Sequence, residues 1–183
     1  MRLRRGLAVA GILALALGSP DQALGQGQRH FREGLEAYQR GDFDAAVRHF
    51  SLAIESADLP LPDIFFAFNN RGNAHAARRD YDRALRDYNE ALRLNPKYAG
   101  ALRNRGLVHA GRGDFDHAIQ DFSEAARLDP DDPHALIGRA LVHCVKRDFA
   151  DAIRDFDAAL RVCPACPRAV VGRAAASASQ DCR

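Results

Sequence analysis

Beyond residue 25 the chain has no surplus of either charge. Removing Arg2, Arg4, Arg5 and Asp21 from totals of 26 basic and 24 acidic residues leaves 23 of each. A nucleic-acid binder needs a basic face, so composition gives no support for such a partner. After Gly25 no apolar run is long enough to span a bilayer. No long stretch alternates apolar and polar residues with period two, which excludes an extensive sheet. Nucleophile motifs, phosphate-binding glycine loops and metal-ligand clusters on one helix are all missing. Neither catalysis nor a cofactor or metal is therefore expected. Cysteine is absent before residue 144, so no lipid-anchored cysteine follows the N-terminal apolar run. Apolar residues are not scarce. At 47% hydrophobic and 27% charged, the chain has the composition of a folded protein.

What is abundant is a period. Gly72, Gly106 and Ala140 lie 34 residues apart, as do Ala84, Ala118 and Ala152; Tyr88, Phe122 and Phe156; and Pro96, Pro130 and Pro164. One structural unit is stacked on itself. Each unit carries two apolar stretches with helical spacing, such as Ala99–Arg112 and Phe115–Leu128. Steps of i, i+3, i+4 and i+7 place their apolar residues on one face. Gly113-Asp114 separates the pair, and Asp114 is expected to cap the second helix through its carboxylate. The unit is a helical hairpin and the fold is all-α.

Small residues face each other in the hairpin. Gly34, Gly72, Gly106 and Ala140 lie on first helices, opposite Ala46, Ala84, Ala118 and Ala152 on second helices. Phe50, Tyr88, Phe122 and Phe156 fill the space beside them. The step from Gly34 to Gly72 is 38 residues. Its four extra residues fall near Leu59-Pro-Leu-Pro-Asp63, where two prolines predict a longer, extended loop.

The run Asn104-Arg-Gly…Gly113-Asp-Phe-Asp-His-Ala118-Ile…Asp121-Phe…Ala125…Leu128-Asp-Pro130 resembles a tetratricopeptide repeat. Four units carry the likeness, at about 27–58, 65–98, 99–132 and 133–164. The family's early tryptophan is missing throughout, since the chain has none. The resemblance implies a right-handed superhelix whose first helices line a concave groove for a protein or peptide. By register, the groove walls include Phe66, Asn69 and Asn73, then Arg103, Asn104 and Leu107, then His134, Ile137 and Leu141. Asn and Arg side chains suit the backbone or terminal carboxylate of an extended peptide. Asn73 and Asn104 match two asparagines of the family's carboxylate-clamp subset. Asn69 and His134 stand where that subset has lysines, and Gly138 replaces its arginine, which argues against a chaperone-tail clamp. Leu107, Ile137 and Leu141 predict an apolar floor.

Both ends differ from the array. Arg2, Arg4 and Arg5 precede the uncharged run Gly6–Leu17, and small residues precede Gly18 and Gly25. Residues 1–25 thus read as a secretory signal peptide, cleaved after Gly18 or Gly25, with an uncleaved anchor as the alternative. The compartment expected is periplasmic or extracellular, with no membrane association once the signal is removed. Residues 165–183 read as a capping helix and tail covering the last apolar face.

Export bears on the four cysteines, Cys144, Cys163, Cys166 and Cys182. An even count in an oxidising compartment predicts disulfides. The preferred pairing is Cys163–Cys166 with Cys144–Cys182. A redox role for Cys163-Pro-Ala-Cys166 is the alternative, although no strand-to-helix turn accompanies it. His143 beside Cys144 matches no familiar zinc spacing. Pro167 follows Cys166 where a c-type haem requires histidine.

Two more columns are structural. His75, His109 and His143 lie one per unit, too far apart to share an ion, and are expected to pack inside their hairpins. Arg71, Arg105 and Arg139 recur opposite Asp87, Asp121 and Asp155, predicting ion pairs either within units or across them. The first unit has Glu33 and His49 at those places. Those two favour the within-unit scheme, whereas Arg173 in the cap favours the cross-unit one, with Asp155 as its partner, and the sequence decides for neither. Exposed pairs of this kind contribute about 0–1 kcal/mol. The sequence thus describes an exported, non-enzymatic protein-binding scaffold. A thiol–disulfide factor and a self-assembling repeat protein are the alternatives.

Overall fold

A computed structural model describes residues 24–181. Almost all of the expected signal segment and Cys182 lie outside those residues. Among the described residues there are nine helices and no strand. They pair as α1 (Gln26–Gln39) with α2 (Phe43–Glu55), α3 (Leu61–Ala77) with α4 (Tyr81–Leu94), α5 (Ala99–Gly111) with α6 (Phe115–Leu128), and α7 (Pro133–Lys146) with α8 (Phe149–Val162). The last, α9 (Pro167–Asp181), packs on α8. First helices also touch first helices, α1 on α3, α3 on α5, α5 on α7 and α7 on α9. They therefore form the inner layer of a superhelical stack, and α2, α4, α6 and α8 the outer one.

The expected aromatic rows are the core. Phe50, Tyr88, Phe122 and Phe156 are the largest fully buried side chains. A Cβ added at Gly34, Gly72 or Gly106 would come within 2.7, 2.8 or 3.1 Å of the ring of Phe50, Tyr88 or Phe122. A second contact was not foreseen. Gly138 lies against Phe122, where a Cβ would approach to 2.7 Å, and Gly172 against Phe156 at 2.4 Å. Each of these rings locks its hairpin to the next first helix. Gly138 thus has a packing reason that the clamp comparison did not supply. Gly172 shows how the cap works: α9 lays a bare backbone patch over Phe156 and buries Ala169 and Ala176.

Three expectations are corrected. The four extra residues do not form a long loop. The α2–α3 connection is Ser56–Pro60, and α3 begins at Leu61, one helical turn earlier relative to Gly72 than α5 begins relative to Gly106. Pro60 is extended at the N-cap, but Pro62 sits in the first turn, where its missing N–H breaks no helical bond. Asp114 does not cap with its side chain. Its two carboxylate oxygens lie 2.8 Å from His117 Nδ1 instead, whereas Asp42 does accept from Ala45 N–H at 2.9 Å.

The third correction concerns the exposure of the charged columns and the partner of Arg173. The arginine–aspartate pairs are within units and bidentate. Arg105 donates from Nε and Nη2 to Asp121 at 2.9 and 2.7 Å. Arg71–Asp87 and Arg139–Asp155 repeat the arrangement. They are not exposed pairs, because the three aspartates keep only 5%, 4% and 8% of their surface. The remaining Nη1 crosses to the preceding unit: Arg71 to Ser51 Oγ, Arg105 to Asn89 Oδ1 and Arg139 to Ser123 Oγ, at 2.9, 2.6 and 2.8 Å. Arg173 bonds Asp157 rather than Asp155, at 2.7 Å. Each of Arg71, Arg105 and Arg139 therefore pins two hairpins, its own through aspartate and the preceding one through serine or asparagine.

The histidine column lies inside the hairpins as expected. Burial pushes the His75 pKa down, against Asp87 and Asp80, with Arg71 and Arg83 adding to the depression. Burial also lowers His109, opposed by Asp121 and Asp114 and assisted by His117 and Arg105. An unfolded chain takes up these protons near the ordinary 6.5, and the folded chain does so only at lower pH. Stability from these rings is present above that value and is lost as pH falls through it. Melting temperature should therefore be lower at pH about 5.5 than at about 7.5. The drop should be smaller in a His75→Gln/His109→Gln variant, and equal drops in parent and variant would contradict the assignment.

Candidate peptide-binding groove

Six of the nine predicted wall residues come together. Arg103, Asn104, Leu107, His134, Ile137 and Leu141 line one hollow of about 520 Å³ between α5, α7 and the start of α9. Their positions follow from helical spacing: 103, 104 and 107 share the inner face of α5, and 134, 137 and 141 that of α7. Ile137 is buried, while Leu107 and Leu141 keep 54% and 37% of their surface. Two leucines left in the open on a concave wall form an uncovered apolar floor. A smaller hollow of about 280 Å³ adjoins it, with Tyr38, Asn73, Ala76 and Tyr88 in its wall. Asn104 and Leu107 border both, so the two form one trough.

The three asparagines serve the scaffold first. Asn104 donates from Nδ2 to Asn69 Oδ1 and Asn73 Oδ1, at 3.1 and 3.0 Å. Tyr88 donates its hydroxyl to Asn73 Oδ1 at 2.8 Å. Burial, aided by charge at Tyr38 and Asp87, drives the Tyr88 pKa well above the usual phenol range, so it stays a donor. Asn69 is buried and borders neither hollow, which corrects its placement on the wall. Asn73 and Asn104 remain on the trough, and the Asn104 Oδ1 takes part in none of these bonds.

Arg103 is also engaged. It donates from Nη1 to Asp132 Oδ2 at 2.6 Å. Asp132 also accepts from the backbone N–H of His134 at 3.0 Å, and its Oδ1 lies 2.6 Å from that ring's Nδ1. Its carboxyl is held below the usual range: burial opposes the shift, but the bonds from His134 and the charge on Arg103 outweigh it. The cation on this wall without an ion pair among the described residues is Arg168, which sequence reasoning missed. It enters with Cys166, Pro167 and Gly138. The missed signal was the cap itself, whose first turn continues the row of first helices.

Phe66 stands apart from the main hollow. The early start of α3 carries Phe65 and Phe66 against Tyr98, with ring centroids 5.4 and 5.3 Å away. Cys163 and Cys166 are bonded across the α8–α9 connection, with Cα atoms 5.4 Å apart. Cys144 is a free, half-buried thiol whose pKa burial raises, and its expected partner Cys182 lies outside the described residues. Among the described residues no helix is long and apolar enough to cross a membrane.

Two family models described as tetratricopeptide repeat match residues 72–143 and 137–181. Hsp70-Hsp90 organizing protein 2 of Arabidopsis thaliana is 38% identical over 66 residues, which is 36% of this chain and 11% of that protein. The chain thus spans about a tenth of that relative's length. A crystal structure of MamA superposes with a TM-score of 0.72 at 19% identity, covering 85% of this chain and 82% of that one. The first repeat domain of Spaghetti (RPAP3), bound to the HSP90 peptide SRMEEVD, gives a TM-score of 0.62 at 19% identity. It covers 64% of this chain and 93% of that one.

Proposed function

The chain belongs to the tetratricopeptide-repeat family, and on that premise we propose that it is a non-enzymatic scaffold holding an extended segment of another protein in its inner trough. The observation that carries this is the open apolar floor of Leu107 and Leu141 beside Arg168, which makes no ion pair among the described residues. Apolar side chains of the ligand fill the hollow, its backbone bonds the Asn73–Asn104 wall, and an acidic group meets Arg168. The peptide complex of RPAP3 supports a peptide ligand, and the name of the plant relative, an organizing protein of Hsp70 and Hsp90, supports a protein partner. Glycine at 138, with Asn69 and His134 where the clamp has lysines, separates this trough from a chaperone-tail clamp.

Residues 1–25 support export, which N-terminal sequencing of the mature protein tests. The bonded Cys163–Cys166 at the trough wall fits an oxidising compartment and a structural role. A reduction potential in the range of oxidoreductases would instead favour thiol–disulfide exchange. Val170 and Val171, exposed on α9, support self-association as the third reading, which light scattering tests.

Peptides selected on the parent protein from a random library should bind Leu107→Asp and Leu141→Asp at least about tenfold more weakly, a loss of about 1.4 kcal/mol. Both positions are exposed, so the variants should keep the parent's melting temperature. Peptides that bind parent and variants equally would contradict the trough.

A further inference from the structure

We propose that His30, Glu33 and His49 form a binding site for a divalent ion of the zinc class in the first hairpin. His30 and Glu33 lie one turn apart on α1, and His49 reaches them from α2. The nitrogens His30 Nδ1 and His49 Nδ1 lie 3.0 and 3.1 Å from the same oxygen, Glu33 Oε2. The three ligand atoms are within 4.8 Å of one another. Donors about 2.0–2.2 Å from a tetrahedral ion stand about 3.3 Å apart, so the cluster needs little movement to close on one. His49 Nδ1 is buried without a hydrogen bond of good geometry, as are His75 Nδ1 and His143 Nδ1, but of these three only His49 belongs to a close group of metal-ligating atoms among the described residues. All three residues are partly exposed, which lets water complete the coordination shell.

The repeat pattern makes this cluster distinct. The place of His30 is Phe68, Leu102 and Leu136 in later units, that of Glu33 is Arg71, Arg105 and Arg139, and that of His49 is Asp87, Asp121 and Asp155. An apolar contact and a guanidinium–carboxylate pair are replaced together by two imidazoles around one carboxylate. Unprotonated imidazole with ionised carboxylate is the ligand set that zinc, nickel and copper prefer. A simple swap of charges would not have put an imidazole at position 30. Sequence reasoning looked for ligands on one helix and missed a set divided between two.

His109, Asp114 and His117 form a second close cluster that does not share this distinction. The His109–Asp114 contact recurs as His75–Asp80 and His143–Asp148, so the repeat itself accounts for it. His117 is mostly exposed. That cluster supplies the control.

The test titrates zinc chloride alone into the untagged full chain at near-neutral pH, by calorimetry and by thermal melting. The expected result is one equivalent bound and a melting temperature raised by the ion, since binding only the folded state stabilises it. Both effects should fall about tenfold or more in His49→Ala and in Glu33→Gln, and persist in His117→Ala. Glu33→Gln is isosteric at a partly exposed position, so it keeps the hairpin folded if His49→Ala does not. Absence of binding, binding that survives Glu33→Gln, or binding lost in His117→Ala overturns the proposal.

Discussion

Phe122→Ala is expected to lower the unfolding free energy by about 3–5 kcal/mol. The ring keeps 1% of its surface. It lies between Gly106 and Gly138, on first helices of adjacent hairpins. Truncation removes the buried ring and leaves a cavity faced by glycine backbone on two sides. Glycines have no side chain to relax into that space, so the cost should fall in the upper part of the usual range. The loss also weakens the interface between the third and fourth units, and repeat arrays derive stability from such interfaces. A chain of this size should melt about 6–20 °C lower. A loss below about 1 kcal/mol in denaturant would show that the ring does not join the two hairpins.

Asp121→Ala is expected to cost about 3 kcal/mol. The aspartate is buried and satisfies two of the Arg105 donors, while the guanidinium keeps 24% of its surface and its bond to Asn89. Removing the carboxylate strands a half-buried cation that still reaches some water, which places the cost at the low end for a broken buried pair. Arg105→Leu should be destabilising for the reciprocal reason. The double variant should cost clearly less than the two single losses together, because neither charge is then left alone. Strict additivity in that cycle, with single losses under about 1 kcal/mol, would reduce the column to surface decoration.

The hairpins were legible because their physics is local. A 34-residue step of glycine, alanine and aromatic fixes which faces meet, and the buried rings lie where that step puts them. Most of the trough was legible for the same reason, since residues three and four apart on α5 and α7 share a face. What escaped depended on partners distant in sequence. Asn69 and Arg103 are polar residues at groove register, yet Asn104 and Asp132, 35 and 29 residues away, occupy them. Gly138 looked like a lost clamp residue because the ring that requires it belongs to the previous hairpin. Arg168 was assigned to a cap and not to a wall. The four-residue insertion looked like a loop because its two prolines signal one, but proline is also at home in a first helical turn.

Methyl NMR during titration of a library-selected peptide tests the trough most directly. The account predicts shifts at Leu107, Ile137 and Leu141, with Ile119 and Ile153 on the outer helices unmoved. Shifts confined to the outer helices, or to Val170 and Val171 on the cap, would contradict it.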